Sequence, residues 1–300
     1  MDTETRRSHT LNVLETFEVR TMTPADVAAA DELRRLAGWN QKPRDWQRLL
    51  ELEPHGCFVA QRNQAVVGTV TTTVYGKALA WVGMMLVHPE HRRIGVATQL
   101  MKRALEYLKQ GQVSCVKLDA TPAGQPVYEK LGFISEWRLQ RWQRMANCAG
   151  SAPDRGVART RALEERDWPF VLEMDAAAFG AHRAELLHRL AQESRRILVW
   201  PASGKVLGFG FLRPGADSDY LGPVVCVTAD ASAGLLHDLL SEPPGSAVTW
   251  DIPEHNDAAK ALAQKFGFKP VRSLTRMRLG PPVDALQPYA LFGIADPAVG

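Results

Sequence analysis

The sequence predicts an α/β (α+β) fold built twice: two tandem domains, each a mixed, mostly antiparallel sheet flanked by helices. Three observations predict it. Runs such as AVVGTVTTTVY, starting at Ala65, are β-branched or alternate, as paired antiparallel strands do. The buried-strand pattern AWVGMMLV leads into a stretch where Val96, Leu100, Met101, Ala104 and Leu108 recur at helical spacing. The second half then repeats the first in order. KVLGFGFLRPG echoes AVVGTVTTTVYG, YLGPVVCVT echoes WVGMMLVHP with Gly222 in the place of Gly83, and NDAAKALAQKFGF echoes TPAGQPVYEKLGF.

The elements follow in order. A strand near Phe17–Met22 precedes a helix from about Pro24 to Leu36, which Thr23 caps. A second helix spans Pro43–Leu52. GCFVAQ and AVVGTVTTTVY form strands, then AWVGMMLV and the amphipathic helix, then the strand VSCVKLDA. PVYEKLGF is a short helix leading into ISEWRLQRWQRM, whose RLQRWQR alternation reads as a strand with one solvated charged face. NCAGSAPDRG, Asn147 to Gly156, is small and polar and reads as the linker. The tail PPVDALQPYALFGIADPAVG has no clear period and is expected to cover a surface or stay mobile.

The 300 residues, 45% hydrophobic and 23% charged, suit a globular protein of two domains, each able to bury a core. A net charge of +3 does not argue for nucleic acid, and RLQRWQR is the only short basic-aromatic candidate. Cys57, Cys115, Cys148 and Cys226 have no CxxC spacing, so no metal site is expected. Single spread thiols, no apolar leader and no apolar run near 18 residues predict a cytoplasmic protein without a membrane span.

VHPEHRRIGVATQL, Val87 to Leu100, places two arginines and a glycine between strand and helix. Helix-start N–H groups point out unpaired with positive potential behind them, which suits an anion. Gly95 lets it approach, Ala97 stays small, and Arg92 and Arg93 add charge. The plain alternative, a basic helix start with an incidental glycine, sets arginines against the dipole. Neither a Walker nor a dinucleotide glycine pattern is present.

Arg92-x-x-Gly95-x-Ala97 resembles the (Q/R)xxGx(G/A) loop of the GNAT acyltransferase superfamily, and VYEKLGF about thirty residues on resembles that superfamily's last block. LAGWN, DAAAFGAHRAELL, RPGADSDYLGP, DIPEHNDAAKAL and RMRLG resemble a GNAT subfamily with a second, acetyltransferase-like domain. The resemblance implies a GNAT-like N-terminal acetyltransferase domain at 15–146, a degenerate GNAT-like domain at 156–280 and a tail at 281–300. It implies coenzyme A in the loop, with pyrophosphate on Arg92, Arg93, Ile94, Gly95, Val96, Ala97 and Thr98. Pantetheine would pair with Met85, Leu86 and Val87, which can equally be plain buried strand. The implied activity is N-acetyl transfer from acetyl-CoA to a small-molecule amine by direct attack in a ternary complex.

Tyr128 is then the acid for the leaving thiolate, or a packing residue of its helix. The preceding strand has no carboxylate, so Asp119 stands as base or as a structural cap; His88 and His91 read as bystanders. Thr121 departs from the Asn that relatives often carry. Trp39 and Asn40 lie where the superfamily lines its acceptor site, and Arg183 and Tyr220 are candidates to face the same cleft, though Trp39 is more often core. Overlaying the halves puts Gly234 at Gly95, so the backbone turn is expected to persist. Ala231 and Ser232 stand at Arg92 and Arg93, Leu236 at Ala97, and Ala263 at Tyr128. One coenzyme site per chain is expected, in a monomer or homodimer. A non-catalytic acyl-CoA-binding sensor or scaffold is the alternative.

Overall fold

The computed structural model describes residues 17–146, 160–241 and 247–300. The linker candidate Asn147–Gly156, with Cys148, lies outside the described residues. The first half runs β1 (Glu18–Thr21), α1 (Val27–Leu36), α2 (Pro43–Leu52), β2 (Phe58–Arg62), β3 (Ala65–Tyr75), β4 (Leu79–Val87), α3 (Val96–Gln110), β5 (Cys115–Ala120), α4 (Gln125–Lys130) and β6 (Ile134–Arg144). The second half repeats it with β7 (Arg161–Ala162), α5 (Trp168–Phe179), α6 (Ala184–Glu193), β8 (Arg196–Ala202), β9 (Lys205–Arg213), β10 (Ser218–Cys226), α7 (Ala229–Leu239), β11 (Ala247–Pro253), α8 (Asp257–Lys265) and β12 (Lys269–Leu279). The tail adds β13 (Leu291–Gly293).

Both halves begin with the same device. A 3₁₀ turn, Pro24–Asp26 or Glu165–Asp167, precedes the first helix. Its last carboxylate grips an arginine of the strand before it: Arg20 with Asp26 at 2.7 and 2.8 Å, Arg161 with Asp167 at 2.6 and 2.7 Å. Thr23 marks the expected start, and its backbone N–H and hydroxyl both donate to the Asp26 carboxylate.

The strands make one 13-stranded sheet in the order β1-β2-β3-β4-β5-β12-β6-β11-β10-β9-β8-β7, with β13 on β10. Pairing is antiparallel except at β4–β5 and β10–β11. The last strands are exchanged: β12 of the second half lies between β5 and β6, and β6 of the first half lies beside β11. The ladder β11–β6–β12–β5 thus welds the halves. This exchange alters the reading of RLQRWQR. Arg141 sits in mid-sheet with 12% of its side chain exposed, bonded to Asp251, so the face is not a solvated one.

On one side of the sheet, α3 packs Leu100, Met101, Ala104 and Leu108 on Val82 and Leu118, as its helical period requires. On the other, a single apolar cluster joins Trp46 and Leu49 of α2, Leu186 and Leu187 of α6, Trp81 and Phe179. From Ala290 on the tail enters this seam and is neither a surface cover nor loose, while most of 281–289 lies exposed. Ile294, Ala295 and Val299 are buried, Trp81 Nε1 donates to Pro297 O, and Tyr75 Oη donates to Val299 O. Gly83 and Gly222 make room for it: a Cβ at either would stand 2.3 Å from Ala298 O or 2.1 Å from Ile294 O. No helix among the described residues is long and apolar enough to cross a membrane.

Candidate active site

β4 and β5 pair in parallel only from Leu79–Trp81 to Cys115–Lys117, then separate. Beyond that point β4 keeps β3 on one side, through a register shift between Thr69 and Thr71, and Met84 takes φ +48°. Such a bulge bends a strand and re-aims its groups. A cavity of about 730 Å³ fills the gap, lined by residues 82–87 of β4 and by Leu118 and Asp119 of β5.

The cavity continues to the loop before α3. Gly95 is the N-cap residue of α3 at φ +92°, in the left-handed region, and a Cβ there would project into open space. Glycine meets both needs, a positive φ and a bare approach to helix-start N–H groups. Arg92 donates through Nε to Val87 O at 3.2 Å, and neither Arg92 nor Arg93 has a carboxylate partner among the described residues. Met85, Leu86, Val87, Arg92, Arg93, Gly95, Val96, Ala97 and Thr98 all line the cavity; Ile94, 49% exposed, does not.

Tyr128 of α4 also lines the cavity, its ring edge-on to Phe133 at 6.0 Å. Burial pushes its phenol well above the usual value, so it holds its proton. Asp119 is the cavity's one carboxylate among the described residues, and it is not a turn cap. Arg276 of the exchanged β12 grips both its oxygens at 2.9 Å, and that guanidinium lies between Trp81 and Trp137, 4.5 and 4.3 Å from their centres. Burial pushes the Asp119 carboxyl up, and Arg276 pulls it back.

Of the acceptor-side candidates, Trp39 lines the cavity. Asn40 does not. It clips the second half: its Oδ1 accepts from Asp217 N and Ser218 N at 2.9 and 3.0 Å, and its Nδ2 donates to Ser218 O. Arg183 is also elsewhere, fully buried on Asp175 at 2.7 and 2.9 Å and donating to Gly300 O. Tyr220 donates to Asp251 at 2.9 Å outside the cavity. Residues that pattern alone does not mark also line it, among them Gln41, Arg141, Arg272, Pro297 and Ala298, and so does His91. Arg141 and Arg272 alternate along their strands like any exposed charge, so their spacing carries no signal.

The corresponding place in the second half is closed. Residues 88–95 separate β4 from α3, whereas only residues 227–228 separate β10 from α7. Gly234 therefore falls inside α7 and caps nothing, so the expected turn does not persist; Thr228 caps α7 through Ala231 N. Where β10 and β11 part beyond Tyr220 and Thr249, β13 pairs with Val224 and Val225 and fills the gap.

The separated parallel pair, the Gly95 loop and the buried Tyr128 thus meet in one cavity. The chain belongs to the GNAT acetyltransferases: the model of the acetyltransferase (GNAT) family matches residues 26–133, and that of an acetyltransferase (GNAT) domain matches residues 171–292. It is similar to the uncharacterized N-acetyltransferase YitH of Bacillus subtilis, 24% identical over 77% of this chain and 80% of the other. It is also similar to the holothin acyltransferase of a Pseudoalteromonas species, 26% identical over 81% of each. A solved structure of a putative acetyltransferase from Pyrococcus horikoshii superposes over 99% of this chain and all of its own, at a TM-score of 0.81 and 25% identity. A tandem GNAT protein from the clavulanic acid biosynthesis pathway shares the fold over 89% of this chain and 100% of its own, at a TM-score of 0.65 and 16% identity.

Proposed function

We propose that the protein transfers an acetyl group from acetyl-CoA to the amine of a small molecule, by direct attack in a ternary complex. One observation carries this reading: a single cavity runs from the Gly95 loop, past the separated β4 and β5, to Tyr128 and the Trp39 wall. Arg92, Arg93 and the first N–H groups of α3 would hold the pyrophosphate, and the unpaired side of β4 at Met85, Leu86 and Val87 would hold pantetheine. The donor supplies a thioester whose carbonyl carbon takes the amine nitrogen; C–N forms, C–S breaks, and sulfur leaves as thiolate. Backbone N–H at the β4 bulge would polarise the carbonyl. Tyr128 would give its proton to the thiolate: burial raises the phenol, and it raises the thiol held beside it in the same direction.

Asp119 is held by Arg276 and has no exposed side-chain surface, so it is not free to take the amine proton directly. Paired with Arg276 it adds no net charge to the cavity, and cavity water carries the proton away. A cysteine relay finds no support among the described cysteines: none lines the cavity, and burial pushes Cys57 up to about 12 and Cys226 higher. We place this activity in the cytoplasm, in a monomer or homodimer. The test is acetyl-CoA with a panel of amines, following free thiol and the acetylated product by mass. Release of thiol matched by N-acetyl product supports the reading; none with any amine sinks it.

A further inference from the structure

The cavity wall beyond the β4–β5 gap carries a charge that the chain does not balance. Arg272 of β12 and Arg141 of β6 are direct cross-strand partners, and both line the cavity. Like charges in that relation destabilise a sheet. On its other flank Arg141 faces Asp251 of β11 and directs Nε and a terminal nitrogen onto that carboxylate at 2.8 and 2.6 Å. Tyr220 Oη donates to the same carboxylate. One acid thus stands in a row with two guanidiniums and is held by the nearer, Arg141, which leaves Arg272 at the end of the row. The neighbouring Arg276–Asp119 pair is already neutral. The last carboxylate nearby, Asp296, is held by Gln41 Nε2 and Ala298 N, with Arg213 as its main countercharge. Arg272 has no ion pair among the described residues, and its buried Nε has no hydrogen-bond partner. Gln41 Oε1, on the same cavity, is also buried without one. A buried donor and a buried acceptor left unmade in one cavity are costly until a ligand meets them.

We propose that the acceptor is an amine that also bears an anionic group, a carboxylate or a phosphate, that Arg272 binds this anion beside Arg141, and that Gln41 Oε1 accepts an amine N–H. The anion supplies the negative charge missing from the row. This rests on the acetyl-transfer reading above, and its test is built to fail separately.

Two measurements decide it, on wild type, Arg272→Gln and Arg272→Lys. The first is turnover of amino acids, their carboxamides and aminoalkyl phosphates with acetyl-CoA. The second needs no turnover: ligand-observed NMR binding of N-acetyl amino acids, their carboxamides and N-acetyl aminoethyl phosphate to the CoA-loaded protein. Anionic members are expected to exceed matched neutral ones by about 10- to 100-fold in kcat/KM or affinity, and the better anion identifies the source. Arg272→Gln is expected to abolish that preference through KM, while Arg272→Lys keeps part of it. Thermal stability of Arg272→Gln should hold or rise, since a like-charge neighbour is removed. If no amine turns over, the acetyl-transfer reading fails, and loss of anionic ligand binding in Arg272→Gln still supports the anion site. Equal binding and turnover of acids and amides by wild type, or a preference that survives in Arg272→Gln, would overturn it.

Discussion

In the proposed reaction Gly95 and Tyr128 would act through opposite properties, one by lacking a side chain and the other by burying one. At Gly95, φ +92° and open space above the backbone leave room for a phosphate. Gly95→Asp puts a carboxylate there, and like-charge juxtaposition costs several kcal/mol. Affinity for CoA is expected to fall by about 10²-fold or more in calorimetric titration, with far-UV circular dichroism unchanged. A folded variant of unchanged affinity would take the loop out of the site. Tyr128→Phe keeps the ring and removes the proton. A kcat loss on the order of 10²-fold is expected with CoA affinity intact, the lower range for losing a general acid; wild-type kcat would assign the proton to water. The places of both residues on the cavity were legible beforehand because short-range spacing sets them: the loop joins adjacent elements, and α4 is six residues long. Asn40 and Arg183 were not, because each contacts a segment far away in sequence, Asn40 at Ser218 and Arg183 at Gly300.

The two helix starts are the elements where pH is most directly felt. Asp26 is held near 2, below its ordinary 3.8, by the hydrogen bonds from Arg20 and Thr23, and Asp167 is lowered by Arg161 in the same way. A carboxyl whose folded value is depressed stabilises the fold above its unfolded value and loses that stabilisation as pH falls through the folded one. Stability from the Arg20–Asp26 pair is therefore present above about pH 4 and lost as pH falls from there to about 2. Denaturant melts of Asp26→Asn should show a shallower acid limb in that window than wild type. An identical slope would show that the pair persists in the unfolded chain. The helices themselves were readable from their period. The capping chemistry was not, since Asp26 serves the strand before it as well as the turn it ends.

For the whole molecule, strand exchange and tail set the two strongest expectations. A fragment ending at 146 lacks β12, and one starting at 160 lacks β6, so each would expose long unpaired strand edges. Neither is expected to unfold cooperatively alone. Co-expressed, they should associate and regain CoA binding; a fragment that folds and binds by itself would show the exchange to be dispensable. In the intact chain, calorimetric titration with acetyl-CoA should give one site, because β13 fills the second gap and α7 starts without a loop. A stoichiometry near two would contradict that.

The sequence by itself determined the periods, the duplicated order, the glycine loop before α3 and the family they resemble. Each depends on neighbours within a turn or a hairpin, where local sterics and hydrogen bonding decide. Only the tertiary structure decided that β6 and β12 trade places, that the tail threads the seam, and that Arg272 meets Arg141 across a ladder. Strand pairing between residues more than a hundred positions apart is chosen by which edges and apolar faces the complete fold leaves to be covered, and a solvent-facing and a cavity-facing arginine alternate along a strand in the same way.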